Sequence, residues 1–178
     1  MLRLAGKANR AGSALVTAAL AASAFLGMAG PASAADGKQP ASLTAGGMHV
    51  QNANSNKCLV AQGTANNAGA FQYDCASFAD QNWSLVPTAW TNTYQLQNVN
   101  SNKCLVVQGG ANGSGAFQYD CASFADQYWT LTPTSWSDAY QLRNMNSGKC
   151  LVVQGTANGS GAFQYDCASF ADQYWTIY

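Results

Sequence analysis

Residues 116–129 read Ala116-Phe117-Gln118-Tyr119-Asp120-Cys121-Ala122-Ser123-Phe124-Ala125-Asp126-Gln127-Tyr128-Trp129, and the same run returns unchanged at 162–175. It also occurs at 70–83 with one difference, Asn82 in place of Tyr128 and Tyr174. The step is 46 residues each time, and Cys58, Cys104 and Cys150 keep it too. Working outward from this block, three units span 48–93, 94–139 and 140–178. Over 39 aligned positions the second and third units share 33 residues, and the first and second share 28. A fixed period of this length indicates a repeat architecture, in which each unit buries its apolar face against its neighbours.

Each unit reads as short strands separated by turns. In the second, Tyr94 to Gln97 is a strand candidate and Asn98 to Lys103 is a polar turn. Cys104 to Gln108 is rich in β-branched residues, and Gly109 to Gly115, containing Asn112-Gly113, is a hairpin-type connection. Ala116 to Cys121 is the next strand, and Tyr128 to Leu131 closes the unit. Four strands in each of three units predict an all-β chain of twelve short strands without helices. Three blades are too few for a propeller, and solenoid repeats are shorter or helical. A closed threefold barrel capped by hairpins, the β-trefoil, is the expected fold.

The residues before the repeats read differently. Arg3, Lys7 and Arg10 precede an apolar run, Ala14 to Leu26, and Ala32-Ser33-Ala34 follows as a small-x-small cleavage site. This order predicts a secretory signal peptide over 1–34, with an apolar run too short to span a bilayer. Residues 35–47 are expected to form a flexible lead. From Ala35 onward there are five basic and eight acidic residues, a net charge of −3, which excludes a basic nucleic-acid footprint. Every acid is Asp, and from Ala35 onward Asn and Gln, 14 of each, outnumber the charged residues. Such a surface suits an uncharged, hydroxyl-rich partner better than a phosphate polymer, although amides also satisfy backbone groups in loop-rich folds.

Six cysteines in a secreted chain imply three disulfides, for which 15 pairings exist. Pairing within each repeat, Cys58–Cys75, Cys104–Cys121 and Cys150–Cys167, respects the threefold step and is the expectation. A metal site would require clustered Cys or Cys/His spacing, and His49 is the single histidine. Neither a metal nor a cofactor is therefore expected. Catalysis is not expected either. There is no Glu, any Asp pair would recur three times, and no nucleophile-elbow pattern accompanies His49.

Each unit also carries Gln-x-Trp: Gln81-Asn82-Trp83, Gln127-Tyr128-Trp129 and Gln173-Tyr174-Trp175. With Lys-Cys-Leu about 25 residues earlier and an aromatic-Asp-Cys strand between, residues 48–178 resemble the ricin B-chain-type lectin domain, a carbohydrate-binding β-trefoil with a triple Gln-x-Trp signature. The resemblance implies disulfides within the repeats and one shallow sugar pocket per repeat. It places a stacking aromatic at Tyr73, Tyr119 and Tyr165, and a polar acceptor at Asp80, Asp126 and Asp172. Gln72, Gln118 and Gln164 stand one step after the position where the family carries Gln, which Phe71, Phe117 and Phe163 occupy. Val60, Val106 and Val152 stand where the family carries an acid. Gln81, Gln127, Gln173, Trp83, Trp129 and Trp175 are expected to be structural, and Trp90 and Trp136 are expected to plug the underside of the barrel.

Two functions follow as expectations. One is a secreted, extracellular lectin recognising a polysaccharide or glycan through up to three equivalent sites, without membrane insertion. The alternative is a protein-binding trefoil, an inhibitor or a subunit of a secreted assembly, whose sugar sites are degenerate. Three equal sites favour the first through multivalency, and the missing acids favour the second.

Overall fold

The computed structural model describes residues 47–178. The predicted signal peptide and nearly all of the predicted lead lie outside the described residues. Twelve strands are present in the order expected: β1 (Met48–Asn52), β2 (Cys58–Ala61), β3 (Ala68–Tyr73), β4 (Asn82–Pro87), β5 (Thr93–Asn98), β6 (Cys104–Val106), β7 (Phe117–Tyr119), β8 (Trp129–Pro133), β9 (Ala139–Asn144), β10 (Cys150–Val152), β11 (Phe163–Tyr165) and β12 (Trp175–Ile177). The helical content of these residues is three single 3₁₀ turns, Ala79–Gln81, Ala125–Gln127 and Ala171–Gln173. No helix among them is long and apolar enough to cross a membrane.

Six strands close on themselves. β1 pairs β4, β4 pairs β5, β5 pairs β8, β8 pairs β9, β9 pairs β12, and β12 returns to β1, all antiparallel. Closure removes the open edges that would otherwise template aggregation. The other six strands form the hairpins β2–β3, β6–β7 and β10–β11. These hairpins meet around the threefold axis. The Ala70 N–H donates to the Ala116 carbonyl, Ala116 to Ala162, and Ala162 back to Ala70, each at 2.8 Å. Only a small side chain fits where three backbones converge, and all three alanines are buried. The fold is the β-trefoil.

The Gln-x-Trp tryptophans fill the barrel. Trp83, Trp129 and Trp175 are wholly buried, and each indole Nε1–H donates to the carbonyl of Leu59, Leu105 or Leu151 at 2.9–3.0 Å. That bond satisfies the one polar atom of a ring otherwise used for packing. Leu59, Leu96, Leu105, Leu142 and Leu151 complete the interior. Because this core is already filled, Trp90 and Trp136 do not plug the barrel, contrary to expectation. They stand 57% and 51% exposed on the tips of the β4–β5 and β8–β9 hairpins.

The disulfides are Cys58–Cys75, Cys104–Cys121 and Cys150–Cys167, each within one repeat. They tie the start of one hairpin strand to the chain just past its partner. His49, Cys58 and Cys75 have potential ligand atoms within 4.8 Å of one another, but both sulfurs belong to a disulfide and cannot act as thiolate ligands.

Candidate functional site

The candidate site of each repeat is built from the end of the second hairpin strand and the loop that follows it. In the first repeat this is Tyr73 to Gln81. The pleat sends alternate side chains to opposite faces, so Phe71 and Tyr73 face outward while Gln72 faces in. Tyr73, Tyr119 and Tyr165 are 47%, 39% and 44% exposed. An aromatic ring held this open in all three repeats is available as a stacking surface.

Gln72, Gln118 and Gln164 take the opposite course and are wholly buried. The Gln72 amide donates to the carbonyls of Gly155 and Ala157 at 3.2 and 3.1 Å and accepts from the Ser55 hydroxyl at 2.6 Å. Gln118 donates to Gly63 and Ala65, and Gln164 to Gly109 and Ala111. Each amide therefore ties its repeat to the one beside it. The structure does not bring these glutamines to the tyrosine surface. Val60, Val106 and Val152 are buried as well, and each lies opposite the half-buried Phe71, Phe117 or Phe163 across the hairpin.

The loop between Tyr73 and Trp83 owes its shape to Gln81. Its side-chain oxygen accepts from the Ala76 N–H at 2.7 Å, and its amide donates to the Asp74 carbonyl at 3.0 Å. Gln127 and Gln173 make the same pair of bonds. The 3₁₀ turn begins after Phe78, whose carbonyl receives the Gln81 N–H at 3.1 Å. Phe78, Phe124 and Phe170 are thereby held out in solvent, about two-thirds exposed.

Asp80, Asp126 and Asp172 sit inside these turns, partly buried, and Oδ1 of each is shielded from solvent with no hydrogen-bond partner. Burial raises the Asp172 carboxyl above its ordinary value, and the backbone N–H groups of Asp172 and Gln173 only partly offset that. An acid kept in a place that penalises its charge is a functional candidate on physical grounds. The backbone of the same residue is anchored by a fully buried amide from the next barrel segment. Asn98 donates to the Asp80 carbonyl, Asn144 to Asp126 and Asn52 to Asp172, each at 2.9 Å.

A second set of acids escaped the sequence reading. Asp74, Asp120 and Asp166 directly follow the exposed tyrosines and pair with Lys57, Lys103 and Lys149. The neighbouring repeat supplies Asn158, Asn66 and Asn112, whose amides donate to the second carboxylate oxygens at 2.7–2.8 Å. All three carboxyls are held below the ordinary value. For Asp74 and Asp166 the lysine bond is the largest cause, and for Asp120 it is the Asn66 bond. A signal was present: Lys and Asp each precede a bridged cysteine, so a disulfide within the repeat carries them together.

A family model described as ricin-type beta-trefoil lectin domain-like matches residues 40–119, 91–165 and 125–178. No curated protein matches the chain at the level of sequence. Among solved structures, the designed threefold-symmetric protein ThreeFoil is similar at 27% identity and a TM-score of 0.71, over 74% of this chain and 97% of that one. An exo-β-1,3-galactanase from Clostridium thermocellum is similar at 24% identity and a TM-score of 0.71, over 75% of this chain but 30% of the galactanase. The Rhizoctonia solani agglutinin is similar at 19% identity and a TM-score of 0.68, over 78% of this chain and 98% of the agglutinin.

Proposed function

Since the chain belongs to the ricin-type beta-trefoil lectin-like family, we propose that it is a secreted, non-enzymatic lectin that binds a polysaccharide or glycan through up to three shallow, equivalent sites. The observation that carries this reading is the exposed tyrosine held at the same place in every repeat, with a partly buried aspartate in the turn that follows it. The ring of Tyr73, Tyr119 or Tyr165 offers an apolar face to the C–H face of a sugar. Asp80, Asp126 and Asp172 offer charged acceptors for its hydroxyls, and charge-assisted hydrogen bonds are about twice as strong as neutral ones. Gln81, Gln127 and Gln173 hold the loops that present the aspartates.

Shallow sites with few polar contacts give weak single-site affinity, on the order of millimolar, and multivalent binding to a polymer multiplies it. Replacing Tyr73, Tyr119 and Tyr165 together with Ala tests the reading by affinity electrophoresis in soluble polysaccharides. Loss of retardation at an unchanged melting temperature is the expected result, and equal retardation removes the tyrosines from the mechanism. The buried valines where the family carries an acid favour a second reading, a protein-binding trefoil in a secreted assembly. Under that reading neither chain is retarded by any polysaccharide.

A further inference from the structure

The β8–β9 hairpin encloses a concave surface that the sites above do not use. The stretch from Pro133 to Tyr140 lines a cavity of about 270 Å³. It is held open by its own turn. The Thr134 hydroxyl donates to the Ala139 carbonyl at 3.0 Å and accepts from the Trp136 N–H at 3.1 Å. Asp138 adopts the left-handed region, φ 64°, which brings the chain back into β9.

The indole of Trp136 does not collapse into this space. It makes a T-shaped contact with Tyr174, with centroids 5.7 Å apart and planes at 80°, and keeps half of its surface in water. The contact fixes the ring, while about half of the side chain stays open to solvent. The base of the hairpin is fastened to the third repeat's site loop. The Gln141 amide donates to the Ala168 carbonyl at 2.8 Å and to the Gln173 side-chain oxygen at 3.4 Å. The hairpin is thus packed against the segment that carries Phe170 and Asp172.

We infer that the Pro133–Tyr140 hairpin is a further carbohydrate subsite, which seats one pyranose ring against the exposed part of the Trp136 indole with its hydroxyls against Ser135, Ser137 and Asp138. A cavity with one apolar wall and several polar groups around it matches a ring that is apolar on its faces and polar on its rim. A preset turn lowers the ordering cost of binding. The inference rests on the carbohydrate-binding reading above but on different residues. It makes the third repeat's site longer than a single sugar.

The test uses the full chain labelled with ¹⁵N, since indole N–H signals separate exposed Trp136 from the buried tryptophans. Trp136→Phe assigns its signal. The probes are mannose, galactose, N-acetylglucosamine and short linear oligosaccharides of each. A shift of the Trp136 signal is expected, and it persists in the variant carrying Ala at Tyr73, Tyr119 and Tyr165. Trp136→Ala weakens oligosaccharide binding about tenfold, or about 1.4 kcal/mol, at an unchanged melting temperature. Probes that bind the wild-type chain while leaving Trp136 unmoved overturn the subsite and leave the lectin reading intact. A wild-type chain that binds none of the probes overturns both.

Discussion

Asn158 and Asp74 lie 84 residues apart in sequence and grip each other twice. The Asn158 amide donates to the Asp74 carboxylate at 2.7 Å, and its side-chain oxygen accepts the Asp74 N–H at 3.0 Å. Asn66 with Asp120 repeats this two-way grip, and Asn112 donates likewise to Asp166. Each hairpin loop thus reaches into the next repeat, and the first repeat receives the last one. The acids are exposed, so the grip is chiefly a matter of placement, with each carboxylate aimed by two groups.

Acid should loosen this ring. Asp74, Asp120 and Asp166 have folded pKa values below the ordinary 3.8. Their stabilising effect is complete above that value and is lost as pH falls through the lower folded values, because the unfolded chain takes up protons first. The melting temperature of the wild-type chain is expected to drop on acidification below about pH 4. The Asp→Asn variant at all three positions should show a flatter profile over that window. Parallel profiles would contradict the assignment.

Asp172 predicts the opposite sign. Its carboxyl is raised by burial, so its charged form destabilises the fold above the folded pKa, and that cost disappears below the unfolded value. Asp172→Asn should melt higher than wild type at neutral pH and equally at low pH, while polysaccharide retardation falls. A variant that is neither more stable nor weaker in binding would remove Asp172 from the site.

The buried glutamines should matter to stability alone. Gln118→Ala strips the partners from the Gly63 and Ala65 carbonyls and from the Ser101 hydroxyl. An expected cost is about 1–3 kcal/mol for buried polar groups left unpaired, read by denaturant unfolding. Binding by the fraction that remains folded should be unchanged.

Each disulfide closes a loop with a separation of 17 residues and is expected to contribute about 3 kcal/mol. Cys104→Ser with Cys121→Ser should therefore lower the denaturation midpoint clearly against a total of roughly 5–15 kcal/mol for a domain. Alkylation without prior reduction should add no mass to the wild-type chain.

Asn112-Gly113 and Asn158-Gly159 are dipeptides prone to deamidation, in which the glycine nitrogen attacks the asparagine side-chain carbonyl and ammonia leaves. In the fold the Gly113 N–H donates to the Gln164 carbonyl and the Gly159 N–H to the Gln72 carbonyl, both at 2.8 Å. The attacking nitrogens are occupied and the side-chain amides are gripped by Asp166 and Asp74. Peptide mapping after storage at mildly alkaline pH should find both asparagines intact in the oxidised chain and converted in the reduced, unfolded chain. Equal conversion would show that the loops open freely.

The sequence by itself determined the twelve strands, the threefold closure and the disulfide pairing. Each follows from local alternation, turn residues and a period repeated three times, all of which are properties of the chain read in order. What the tertiary structure alone decided is which way the repeated side chains face and what they meet. Gln72 and Tyr73 are neighbours, but the pleat buries one and exposes the other, and the buried one is spent on carbonyls 83 and 85 residues away. Trp90 and Trp136 look like core residues by composition, yet the filled barrel leaves them on hairpin tips. The grip of Asn158 on Asp74 was invisible in sequence because a repeat period records how each unit resembles the next. It does not record which atoms the units present to one another once three of them close around an axis.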